Sequence, residues 1–107
     1  MLHVPAGAKD FRGVPAPVTW VIVPDFKQQI ELRLHAAENS DLLWIGDAYG
    51  AARPAVLLAG SPGIMGRVAA DGFEEFPGKL FIPRAGCYVL EVRWPGGSWT
   101  ASFAAGR

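Results

Sequence analysis

The stretch Gly86-Cys87-Tyr88-Val89-Leu90-Glu91-Val92-Arg93-Trp94-Pro95-Gly96-Gly97-Ser98-Trp99-Thr100-Ala101-Ser102-Phe103 decides how this chain folds. Tyr88, Leu90, Val92 and Trp94 recur at every second position, and in an extended chain that spacing puts them on one face. Glu91 and Arg93 fall on the opposite face with Cys87 and Val89. Pro95-Gly96-Gly97 interrupts the alternation, and glycine takes positive φ without steric cost, so the chain can reverse tightly there. After the reversal Trp99, Ala101 and Phe103 alternate with Ser98, Thr100 and Ser102. The pattern predicts a β-hairpin with one apolar and one wet face.

The same grammar extends towards the N-terminus. Lys79–Ile82 reads as a short strand closed by Pro83, whereas Phe73–Gly78, after the Asp71-Gly72 turn, reads as irregular. Ile64–Ala70 is a weaker strand candidate. Ala55–Ala59 is an apolar run between Pro54 and the turn Gly60-Ser61-Pro62-Gly63; its short length and its flanks favour strand over helix. Leu42–Ile45 is another such run, between the polar turn Glu38–Asp41 and Gly46-Asp47. In Gln28–Ala36, Ile30, Leu32 and Leu34 point one way and Gln29, Glu31, Arg33 and His35 the other, the mark of an antiparallel strand with one solvated face. Val18–Val23 is rich in β-branched residues and stops at Pro24-Asp25, with Pro24–Lys27 short enough for a hairpin or a tight corner. Residues 1–17 contain Pro5, Gly7, Gly13, Pro15 and Pro17, which forbid a helix and suggest an extended arm. With no helical pattern of useful length, the expected fold is an all-β antiparallel sandwich of seven to eight short strands over residues 18–107.

Composition agrees. The chain has 107 residues, 50 % of them hydrophobic and 19 % charged, which excludes disorder and provides for one core without disulfide staples. Thirteen glycines and nine prolines favour many turns over a helical bundle. Ten basic residues balance ten acidic ones, so no strong field draws nucleic acid or an anionic membrane surface. No apolar stretch is long enough for a membrane-spanning helix, and Met1–Pro5 lacks the basic and apolar regions of a signal peptide.

The segment Pro83-Arg84-Ala85-Gly86-Cys87-Tyr88, followed by alternating aliphatic residues, a turn and a last strand, resembles the end of small bacterial extracytoplasmic immunoglobulin-like sandwich domains. Trp20-Val21-Ile22-Val23-Pro24 and Ile30-Glu31-Leu32-Arg33 look like the first strands of such domains. The clearer part of the match covers about residues 79–104. The resemblance implies an immunoglobulin-like fold, a secreted or periplasmic location and no catalytic residue.

The residues offer little chemistry. A metal site needs clustered His, Cys or carboxylates, and only His3, His35 and Cys87 are available as soft or borderline ligands, with Met65 in a poor context for an axial one. Cys87 is the single cysteine and reads as a small buried hydrophobe. Gly60-Ser61-Pro62-Gly63 lacks the strand–turn–helix setting of a nucleophile elbow and reads as a turn. Glu74-Glu75 reads as solvated carboxylates that point in opposite directions if the chain is extended. No phosphate loop is present, because Gly78-Lys79-Leu80 lacks the required hydroxyl residue. We therefore expect no cofactor, no metal and no enzyme.

The four tryptophans carry most of the remaining information. Trp20 sits in an apolar run and reads as core, while Trp94 and Trp99 flank a turn and read as closing one end of that core. Trp44, with Tyr49 and Arg53 near it in sequence, is the candidate binding group, because flat aromatic faces give contact area at low entropic cost. The sequence thus favours a non-catalytic module that associates with protein or with itself. A carbohydrate-binding module using exposed Trp and Tyr, and a protein inhibitor domain, are the alternatives.

Overall fold

The computed structural model describes residues 2–3, 13–46, 50–58 and 67–106. The fold is all-β. Its strands are β1 (Leu2–His3), β2 (Val14–Ile22), β3 (Gln29–Ala36), β4 (Ile45–Gly46), β5 (Ala51–Ala52), β6 (Ala55–Leu58), β7 (Arg67–Val68), β8 (Glu74–Ile82), β9 (Gly86–Trp94) and β10 (Gly97–Gly106). The first sheet has the order β1-β10-β9-β3-β6; the second has β2-β8-β4-β5, with β7 also paired to β8. All pairings are antiparallel except β1 with β10. The strands beyond the expected seven or eight are two-residue pieces such as β1, β5 and β7.

The β9–β10 hairpin forms as the alternation predicts. Trp99 lies opposite Val92, Ala101 opposite Leu90 and Phe103 opposite Tyr88. β3 joins in register on the other side, with Leu32 opposite Val92 and Leu34 opposite Leu90. Leu32, Leu34, Tyr88, Leu90 and Val92 are buried and face Ala16, Ile45, Leu80 and Ile82 of the second sheet. Burying apolar area at roughly 25 cal/mol per Å² drives the two sheets together. The solvated face of the first sheet sets Glu31 opposite Arg93 and Arg33 opposite Glu91. The Arg93 Nη2 also lies 3.4 Å from the Glu91 carboxylate. Each exposed pair of this kind contributes at most about 1 kcal/mol, so the ladder sets orientation and solubility more than stability.

Three sequence expectations are corrected. Val14–Pro17, assigned to the arm, are the first half of β2, with Val14 and Ala16 fully packed. Phe73–Gly78, read as irregular, belong almost entirely to β8. Both errors come from prolines inside strands, and the register shows why they are tolerated. Pro15, Pro17 and Pro77 all occupy one rung parity, with partners Phe81, Lys79 and Thr19. On β8, Pro77 falls between the residues paired with β7 and those paired with β4, where no neighbour asks for its N–H. Leu42–Ile45, read as a strand, contributes only Ile45 to β4, while Leu43 makes an isolated bridge to Leu34. Pro24–Lys27 is the corner alternative: it carries the chain from the second sheet to the first, with Asp25 at φ 68°.

Tyr88 closes the corner between β8 and β9. Its hydroxyl donates to the Arg84 carbonyl and accepts from the Arg84 N–H at 3.4 Å. Its ring stacks on Phe103 with centroids 5.8 Å apart.

Glycines make room for indoles. The Trp94 ring covers Gly97, where a Cβ would meet Cζ2 at 2.7 Å; Trp20 similarly covers Gly78, with Nε1 at 2.8 Å. Gly97→Ala is therefore expected to displace Trp94 and destabilise the domain by about 1–3 kcal/mol. Thermal unfolding checks the loss, and a red shift of tryptophan emission checks the displacement. An unshifted melting temperature contradicts the account.

Candidate functional site

Of the residues picked out by sequence, the structure brings Trp44 and Arg53 together. The Arg53 guanidinium sits over the Trp44 ring at 4.4 Å from its centroid. Trp44 is half-buried, held between Leu43, which bridges to Leu34, and Ile45 of β4. The cation occupies the ring face, an interaction of about 0.5–1 kcal/mol at an exposed site. Trp44 is thus not a bare platform for a sugar ring. Tyr49 lies outside the described residues.

A more extensive feature lies at the end of the sandwich where β2 stops. Burial of the inward residues of β2 falls along its length: Val14 and Ala16 are buried, whereas Val18, Trp20 and Ile22 are only half-buried. Opposite them on β8 stand Gly78, Phe76 and Glu74, and the Trp20 indole lies over Gly78. The first sheet runs on past this point. Trp99, on the inward face opposite Val92, is left 49 % exposed. The result is a cleft of about 280 Å³ with walls that include Trp20, Ile22, Phe26, Leu57, Trp94 and Trp99. Phe26 meets Trp94 edge to face, with centroids 6.0 Å apart and planes at 85°. Among the described residues no charged one lines the cleft. A second opening of about 300 Å³, between β6 and the β4–β5 pair, shares Trp20 with the first, so this indole stands as a partition.

This arrangement corrects the reading of one tryptophan. Trp20 and Trp94 are half-buried and pack against the core while also walling the cleft, but Trp99 is an exposed rim residue. The alternation that placed them inward is sound. A period of two reports which face a residue takes, but not whether the other sheet extends far enough to cover it.

The polar groups sit elsewhere. His35 points along the solvated face towards Glu91, with Nε2 3.8 Å from the carboxylate, and its Nδ1 lies 2.8 Å from the Ala36 carbonyl. Cys87 is exposed, not buried as the sequence suggested, and lies on the other side of Val89 from Glu91. Glu74 and Glu75 do point to opposite faces. Glu75 pairs with the Arg67 Nε at 2.6 Å, but Glu74 is 7 % exposed on the inward face opposite Ile22, which corrects its reading as solvated. Among the described residues no three His, Cys, Asp or Glu side chains converge as metal ligands, and no helix is long and apolar enough to cross a membrane.

What the cleft can do follows from its lining. It can take apolar surface out of water and stack against it. The fold and this cleft define a two-layer β-sandwich with an aromatic opening at one end. No protein-family model, curated protein or solved structure matches the chain.

Proposed function

We propose that the chain is a non-catalytic, immunoglobulin-like binding module that works outside the cytoplasm and associates with protein, taking an apolar segment of its partner between the ends of its two sheets. The observation that carries this reading is the uncharged aromatic cleft, with Trp99 as its half-exposed rim. Trp is enriched among the residues that dominate binding energy, because a large rigid ring desolvates much area at low entropic cost. The neutral lining selects a neutral apolar occupant over a charged one. A glycan is the weaker reading, since Arg53 sits over one face of the Trp44 ring.

Two features support the immunoglobulin-like assignment. The order β10-β9-β3-β6 corresponds to strands G, F, C and C′ of such sandwiches, and β2-β8 to strands B and E. Tyr88, near the start of β9, bonds back to the Arg84 backbone as the tyrosine of the E–F corner does in that fold. The Pro-x-x-Gly-Cys-Tyr resemblance supports the location outside the cytoplasm.

Selection from a displayed library of short peptides tests the function. The expected result is enrichment of uncharged sequences with a central aromatic or large aliphatic residue, bound with quenching or shift of tryptophan fluorescence. Trp99→Ser is expected to weaken them by about tenfold or more while the fold is kept, since Trp99 is half-exposed. No enrichment, or binding that Trp99→Ser leaves unchanged, overturns the proposal.

A further inference from the structure

β2 forms an edge of the second sheet among the described residues, and its prolines reveal which way its backbone groups point. Opposed residues in an antiparallel ladder alternate between rungs that exchange two N–H···O bonds and rungs that exchange none. Pro15 and Pro17 have no N–H, so the rungs they share with Phe81 and Lys79 are of the second kind. The bonds from β2 to β8 therefore run through the even-numbered residues, Val14 to Ile22. β8 shows the same parity: the Phe81 N–H turns away from β2 and donates to the Trp44 carbonyl at 3.1 Å. The N–H and C=O groups of Thr19 and Val21 consequently point out from the edge of β2.

The two halves of this edge differ. In the first, Pro15 and Pro17 remove the outward N–H groups, a device that discourages strand addition. In the second, Thr19 is exposed and Val21 and Val23 are 56 % and 55 % exposed. No charged residue lies between Pro17 and Pro24, so the usual second device is missing as well.

We propose that Thr19–Val23 pairs antiparallel with the same segment of a second copy of this chain, about a two-fold axis through Val21. Register leaves little choice. Inward side chains stay inward, and outward-pointing bonds meet each other, whenever odd-numbered residues lie opposite odd-numbered ones, and only an axis through Val21 sets Thr19, Val21 and Val23 all opposite one another. An axis through Thr19 would set Pro17 opposite Val21 and forfeit bonds. An axis through Val21 sets Val21 opposite Val21 and Thr19 opposite Val23, and Pro17 and Pro24 end the pairing on either side. Two identical uncharged segments meet without like-charge repulsion, which makes a second copy the occupant this edge selects. The two second sheets then continue as one. The proposal rests on the reading of the chain as an association module; Val21 and Val23 also line the β2 side of the cleft, whereas Trp99 stands on its β10 rim.

Sedimentation equilibrium across the micromolar to millimolar range is expected to show a reversible dimer of the 11.5 kDa chain. Val21→Pro removes one outward N–H and no bond to β8, so it copies the protein's own device at Pro15 and Pro17. It is expected to keep a cooperative thermal transition and to weaken dimerisation about tenfold or more. Opposed residues on a bonded rung have Cα atoms about 5.5 Å apart, within disulfide range. Val21→Cys combined with Cys87→Ser is therefore expected to oxidise to a covalent dimer. Trp99→Ser is expected to keep the dimer, which separates failure of this proposal from failure of the cleft reading. A wild-type chain that stays monomeric at millimolar concentration overturns it. So does a dimer that neither weakens with Val21→Pro nor cross-links through Val21→Cys.

Discussion

Replacing Tyr88 by alanine is expected to cost about 3–5 kcal/mol, and by phenylalanine about 1–3 kcal/mol. Tyr88 is 2 % exposed, and its ring fills the core beside Phe103. Alanine leaves a cavity the size of a phenol and removes the stacked pair. Phenylalanine keeps the volume but leaves the Arg84 carbonyl and N–H without the hydroxyl that serves both. Against a typical domain stability of about 5–15 kcal/mol, the alanine variant is close to unfolding at ambient temperature. Urea titration followed by circular dichroism measures both variants. A phenylalanine variant as stable as the wild type would show that the hydroxyl contributes nothing and that the corner is held by ring packing alone.

Gly13→Ala is expected to cost about 2–5 kcal/mol, from two sources that add. Gly13 has φ +116°, a conformation that side-chain-bearing residues rarely adopt. An added Cβ would also lie 2.7 Å from the carbonyl carbon of Ile82 and 2.8 Å from the Pro83 nitrogen, both backbone atoms that cannot swing aside. Gly96→Ala separates the two effects. Gly96 has φ +98°, but nothing lies within 4 Å of the position its Cβ would take, so only the conformational cost of about 1–3 kcal/mol applies. Melting temperatures that fall equally in the two variants would show that the Ile82–Pro83 backbone gives way. Gly13 and Tyr88 brace the same corner, one packed against the end of β8 and the other bonded to Arg84 beyond it.

The legible parts of this protein are those where one local rule suffices. The alternation in Gln29–Ala36 and Gly86–Trp94 gave the inward faces of β3 and β9 correctly, because a pleated strand turns successive side chains to opposite faces whatever surrounds it. Local rules failed at Pro15, Pro17 and Pro77. Proline excludes only those rungs where its N–H is needed, and that depends on the neighbouring strand, which lies far away in sequence. They failed again at Glu74 and Cys87, whose burial is set by what the other elements cover. Of the site first suggested, Trp44 and Arg53 do meet, with the guanidinium over one face of the ring.

Composition and periodicity by themselves determined an all-β domain of neutral charge, with its hairpin and its inward-facing tryptophans. These depend on chain properties that act within a few residues. Only the tertiary structure decided that Trp20, Trp94 and Trp99 line an open cleft, and that half of the β2 edge is blocked while half is open. Both depend on how far one sheet extends over the other and on which rungs carry hydrogen bonds. Those are relations between strands, and no single strand's sequence contains them.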